Sequence, residues 1–145
     1  MNMAQEVSRE VIAHDFIAGM HGKLDQNKIA EASKALMATQ AAHSANGSVA
    51  SLIFYLQFQV NINGGKTFDG KAGGISTPGG GALFGNVYTD DLDRLYRDTT
   101  SFEYQGTPVY LSVLFFDKHS TLLGHFQSGA VSTVIGVGGG SGHWS

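Results

Sequence analysis

Residues 51–63 read SLIFYLQFQVNIN, and this stretch decides the fold class. Leu52, Phe54, Leu56, Phe58, Val60 and Ile62 alternate with Ile53, Tyr55, Gln57, Gln59 and Asn61. Side chains on an extended strand point to opposite faces in turn, so the alternation describes a long strand with one buried face. A strand inside a parallel α/β sheet is covered on both faces and has no room for such polar positions. The period therefore points to antiparallel β structure. In this register Phe54 and Phe58 belong to the core, while Gln57 and Gln59 face water.

The next residues, NINGGKTFDG (61–70), contain Gly65-Lys66-Thr67 and invite a phosphate-loop reading. That loop needs a glycine five positions before Gly65, where this chain has Val60, and a helix afterwards, where Phe68-Asp69-Gly70 opens another strand. These glycines turn hairpins, and no nucleotide is expected. Further strands follow in KTFDGKAGGIS, GGALFGNVYT, TSFEYQG, PVYLSVLFFD, TLLGHFQS and AVSTVIGVG, punctuated by turn residues such as Pro78-Gly79-Gly80 and Ser128-Gly129. Val109, Leu111, Val113 and Phe115 share one face of their strand, as do Val131, Thr133, Ile135 and Val137 of theirs. TDDLDRLYRDT (89–99) interrupts them with a short helical turn.

Upstream, residues 26–42 form the one clear helix, capped by Asp25, with a thin apolar stripe of Ile29, Ala32, Ala35 and Leu36. Residues 43–48, HSANGS, end it. Residues 10–24 alternate through Ile12, His14, Phe16, Ala18 and Met20 and are read as a strand, with a helix as the alternative. Residues 1–9 form a flexible segment before a single β-barrel domain over 10–145. Short strands at even spacing mean a sandwich or barrel, and counting 10–24 gives eight, a number that closes well over a filled interior.

Only 14% of residues are charged and 20 are glycine, which disfavours both a helical bundle and disorder. The net charge of −3 comes with scattered Lys and Arg, so no nucleic acid is expected. Cysteine is absent, which removes thiol chemistry and disulfides. The opening MNMAQEVSRE has no signal-peptide pattern, so the sequence is either cytoplasmic or begins after a removed leader.

Sites of chemistry are not apparent. GVGGGSGHW (136–144) puts Ser141 or His143 where a dinucleotide loop needs its third glycine, and reads as a strand end with a flexible tail. His14, His21, His43, His119, His125 and His143 form no metal-ligand spacing and are read as surface residues. Asp90, Asp91, Asp93 and Asp98 lack the glycine and closing glutamate of a calcium loop. Asp15 and Asp69 could pair only through the fold, and no GxSxG elbow occurs. No catalytic, cofactor-binding or metal residue is therefore assigned, and no enzyme is expected. Tyr55, Tyr110 and Phe116 fall on outward faces, to be covered by the helix of 26–42 or left as a contact surface.

The long strand into VNINGGKTFDGKAGG, the block GGGALFGNVYTDDLDRLYRDTTSFEY, the strand PVYLSVLFFD and the end LLGHFQSGAVSTVIGVGGGSGHW resemble the secreted virulence-associated (Vap) proteins of a rhodococcal intracellular pathogen. The similarity covers Phe54 to Trp144, and the first forty residues match less well. It implies a compact eight-stranded antiparallel barrel of two Greek-key halves with one short helix near the N-terminus. It also implies export to the exterior or cell surface, and a role in host-phagocyte interaction without known catalysis. The expected partner is an unidentified host factor or a membrane, met by a monomer. The rival readings are a small-ligand carrier in the lipocalin or avidin style, which needs a cavity above roughly 300 Å³, and a hydrolase assembled from distant strands.

Overall fold

Eight antiparallel strands close into a barrel: β1 (Ala42–Ser51), β2 (Tyr55–Ile62), β3 (Thr67–Gly73), β4 (Gly79–Tyr88), β5 (Ser101–Gly106), β6 (Tyr110–Phe116), β7 (Leu122–Gly129) and β8 (Gly136–Trp144). Around the barrel the order is β1-β2-β3-β8-β5-β6-β7-β4. It divides into two Greek keys, β4-β1-β2-β3 and β8-β5-β6-β7. Helices α1 (Arg9–Met20) and α2 (Gln26–Met37) precede the barrel, and α3 (Leu92–Asp98) joins its halves. This computed structural model describes residues 8–38, 40–73, 77–129 and 134–145. Residues 1–7 of the segment read as flexible lie outside those described, as do Val131 and Thr133 of the expected last strand.

Eight strands are present, but one member of the expected set is replaced. Residues 10–24 are not a strand: they contain α1, started by Ser8, whose Oγ accepts from the Val11 amide. Ile12, Phe16 and Met20, its main buried residues, are four apart, a spacing that suits period 2 and period 3.6 alike. Ala13, also buried, satisfies only the helical period. The missing strand is β1, whose HSANGS was read as a helix terminator. Its buried positions are only Ala45, Val49 and Ser51, so it lacks an apolar rhythm. A Cβ at Gly47 would collide with the Gln59 carbonyl of β2, so the turn-like glycine serves close strand packing. Helix α2 starts at the expected Asp25 cap, whose Oδ2 accepts from Asn27 N, and stops at Met37 rather than 42.

The long strand begins later than its alternation suggests. Leu56, Phe58, Val60 and Ile62 are buried, whereas Leu52 and Phe54 are 75% and 67% exposed in the β1–β2 hairpin tip. Ile53 sits at φ 80 there, a left-handed conformation that β-branched residues rarely adopt, and this reverses the chain before Tyr55. Val109 is likewise outside its strand and exposed, while Leu111, Val113 and Phe115 fill the barrel. At the far end, GVGGGSGHW is a strand and not a tail, and Ile135 just before it and Val137 within it are exposed rather than core.

Glycine in β8 has a packing reason. Phe58, Phe68, Phe102, Tyr104, Phe115 and Trp144 meet inside the barrel with ring centroids 4.9–5.5 Å apart. A Cβ at Gly142 would strike the Phe68 ring, one at Gly138 the Tyr104 ring, and one at Gly70 the rings of Phe68 and Phe102. Outside the barrel, Tyr110, Leu114 and Phe116 are buried beneath both α1 and α2, so two of the three outward aromatics are covered and Tyr55 is not.

Phe58→Asp should abolish folding, whereas Phe54→Asp and Gln59→Asp should shift the chemical-denaturation free energy by only about 0.5 kcal/mol. Equal losses at Phe54 and Phe58 would overturn the strand start at Tyr55. Gly70→Ala should cost ~1–3 kcal/mol by overpacking the rings; a neutral result in the same assay would show that the cluster yields freely.

Candidate functional site

Seven connections join the eight strands, and antiparallel order sends four to one end of the barrel and three to the other. At one end lie residues 52–54, 77–78, 107–109 and 134–135, and the connecting sequences to which they belong, LIF, GISTP, TPV and AVSTVI, contain no charged residue. The other end carries Lys66, α3 with Arg94, Arg97 and Asp98, and the turn of Asp117 and Lys118. Most of the barrel's exposed large apolar side chains gather at the uncharged end: Leu52, Ile53, Phe54, Tyr55, Val109, Ile135 and Val137. Phe84, on the wall, stands apart from them.

Hydrogen bonds hold this rim in shape. The Leu52 amide donates to Tyr55 O, and the Ile53 amide to Ser51 Oγ. Thr107 Oγ1 accepts from the amides of Val109 and Tyr110. Thr77 and Ile135 tie two of the connections together, Ile135 N donating to Thr77 Oγ1 and Thr77 N to Ile135 O. With these amides bonded, the exposed apolar side chains are the main feature that the described part of the rim offers to a partner. Large apolar groups held in water in this way mark a contact surface.

The barrel interior offers no comparable site among the described residues. Leu56, Phe58, Val60, Phe68, Leu83, Val87, Val113, Phe115 and Phe126 are fully buried and fill it. Hollows of about 410 and 510 Å³ exceed the volume a carrier needs, yet both lie on the outer wall. One separates the start of α1 from β4 and β7, and the other lies across β2, β3 and β8.

Over residues 2–145 the sequence matches the family model described as Rhodococcus equi virulence-associated protein. The chain belongs to this family. Among solved structures it is similar to the virulence-associated protein VapB of Rhodococcus equi, at 47% identity and a TM-score of 0.70, covering 74% of this chain and 98% of that one. VapD of the same organism matches at 37% identity and a TM-score of 0.70, covering 74% of this chain and all of that one. Among curated protein sequences, none matches. The family match reaches the first residues of this Vap chain, although the solved relatives leave about a quarter of it unmatched.

Residues considered for chemistry are dispersed through the fold. His14, His21, His119 and His143 are exposed, and His43 is half-buried with Nε2 3.3 Å from Thr89 O. His125 is not on the surface but fully buried, stacked on Tyr88 at 5.2 Å with Gln127 Nε2 donating to its Nδ1. Asp91 caps α3 through the Arg94 amide, and Asp98 pairs with Arg94 and Arg97, so these acids organise a helix. Asp15 accepts from the Tyr110 hydroxyl on one side of the molecule, and Asp69 accepts from Gln59 elsewhere.

Half-buried Glu103 and buried His125 are among the groups with displaced pKa values, and no local pattern in the sequence marks either. Burial beneath the α1–α2 turn pushes the Glu103 carboxyl up to about 7, against the pull of Lys23. Burial, with Arg9 nearby, pushes His125 down to about 3, so it is neutral. Glu103 holds its proton more tightly when folded, so it adds stability as pH falls from about 7 towards the ordinary carboxylate range. His125 acts oppositely, since the folded state resists its protonation and stability is lost as pH drops below the usual histidine value. The two effects offset each other in mild acid. Glu103→Gln should therefore stabilise the protein at pH 8 by ~1–2 kcal/mol, after discounting for solvent screening. The gain should shrink towards pH 5, and the variant should lose stability more steeply on acidification than the parent. Parallel stability curves in chemical denaturation would refute the Glu103 assignment.

Proposed function

We propose that this chain is a secreted, non-enzymatic virulence factor that acts in the host phagocyte by seating the uncharged rim of its barrel on a membrane. The observation that carries the reading is the coincidence of exposed Leu52, Ile53, Phe54, Val109 and Ile135 with four connections that contain no charge. A protein partner of ordinary composition would be met by some charged positions around an apolar centre. A bilayer interface instead favours separate apolar side chains on tips, with a tyrosine such as Tyr55 at the boundary. No helix among the described residues is long and apolar enough to cross a membrane, and the proposed contact is shallow. Full burial of Leu52 and Phe54 would contribute about 1.5–3 kcal/mol each, which suits reversible attachment.

Co-sedimentation with liposomes at pH 5 and pH 7, using neutral and anionic lipid, tests this. Binding should occur with neutral lipid and change little with salt, because the rim has no charge to screen. The double variant Leu52→Asp, Phe54→Asp should stay folded and lose the binding. Absence of binding at either pH would remove the membrane reading and leave a protein partner for the rim. Binding that needs anionic lipid and disappears in salt would place the contact elsewhere on the surface.

A further inference from the structure

The strand register places a polar array on the outer face of β2, β3 and β8, away from the rim's tips. Gln59 is opposite Asp69, which is opposite His143. One step along, Gln57 is opposite Lys71, which is opposite Ser141. Two parallel rows of three polar side chains therefore cross the same three strands. Neighbouring strands are ~4.8 Å apart, and same-face residues along a strand ~6.7 Å apart, so the rows frame an area the size of one sugar ring. A shallow hollow of about 510 Å³ is lined by five of the six side chains, all but Gln59, and ends at Thr99 and Thr100.

We propose that this hollow is a saccharide-binding site that takes a neutral pyranose ring. Sugar hydroxyls both donate and accept, and the array supplies both functions close together: carboxylate oxygens from Asp69, ammonium protons from Lys71, amides from Gln57 and Gln59, a hydroxyl from Ser141 and imidazole from His143. Asp69 is already oriented, since Gln59 Nε2 donates to its Oδ1 at 3.3 Å. The single Lys71 and single Asp69 balance, which selects an uncharged ligand over an anion or a cation. All these groups except Thr99 and Thr100 stand on strands of a closed barrel, which fixes their spacing better than loops would.

The test is amide chemical-shift mapping with the methyl glycosides of glucose, galactose, mannose and N-acetylglucosamine. At least one should give saturable shifts clustered at residues 57–59, 69–71 and 141–143, with a Kd on the order of 1 mM. Asp69→Asn should weaken that binding at least tenfold with an unchanged thermal midpoint, and Asn86→Ala, in the hollow beside α1, should leave it intact. Should Asp69→Asn fail to fold, Lys71→Ala serves the same purpose. No saturable shift with any of the four glycosides, or shifts confined to the rim or to the α1 hollow, would overturn the proposal. Undiminished binding in a folded Asp69→Asn would overturn it as well. Neither result depends on whether liposomes bind.

Discussion

The barrel depends on six aromatic rings that share a space which glycines have vacated. Phe68, Phe102 and Tyr104 project from β3 and β5 towards positions 138 and 142 of β8 and position 70 of β3, where any Cβ would strike them. Rings at centroid distances near 5 Å, several of them edge to face, pack densely and stabilise beyond their buried area. An interior filled in this way has no space for a ligand. The same packing that stabilises the barrel therefore moves every candidate site to its outside.

Once the interior is closed, the outer surface divides by element. Strand β6 is apolar on both faces: Leu111, Val113 and Phe115 face inward, and Tyr110, Leu114 and Phe116 need cover that α1 and α2 supply. The hairpin's seat is also where Glu103 loses water and its carboxyl rises to about 7. The β2-β3-β8 wall carries its polar rows at the surface. One end of the barrel carries the helix α3 and its ion pairs, and the other carries none. This polarity between ends follows from connectivity, because strands that alternate in direction send successive connections to opposite rims.

Much of the fold was legible locally. Alternation from Leu56 to Ile62 gave β2 and its buried face, and apolar Tyr110–Phe116 gave β6. Reading failed where local pattern is silent or double. Ile12, Phe16 and Met20 satisfy both periods, and β1 carries turn-forming residues in a strand. Leu52 and Phe54 continue an alternation past the point where Ile53 turns the chain back. The rim was legible as composition, since its four segments lack charge, but its unity was not. Residues 52–54, 107–109 and 134–135 are far apart in sequence, and only the barrel brings them together.

By itself, the sequence determined that this is an antiparallel β protein with the Vap pattern, because strand period and turn residues act over a few neighbours. Tertiary structure decided which eight strands close, which apolar residues are core and which are display, and which polar residues share a face. Those outcomes depend on register between strands distant in the chain, where Asp69 meets His143 and Gly70 meets Gly142. A strand's own residues specify that it will have two faces. What lies against each face is settled only by the partner strands, the rings they project and the helices that cover them.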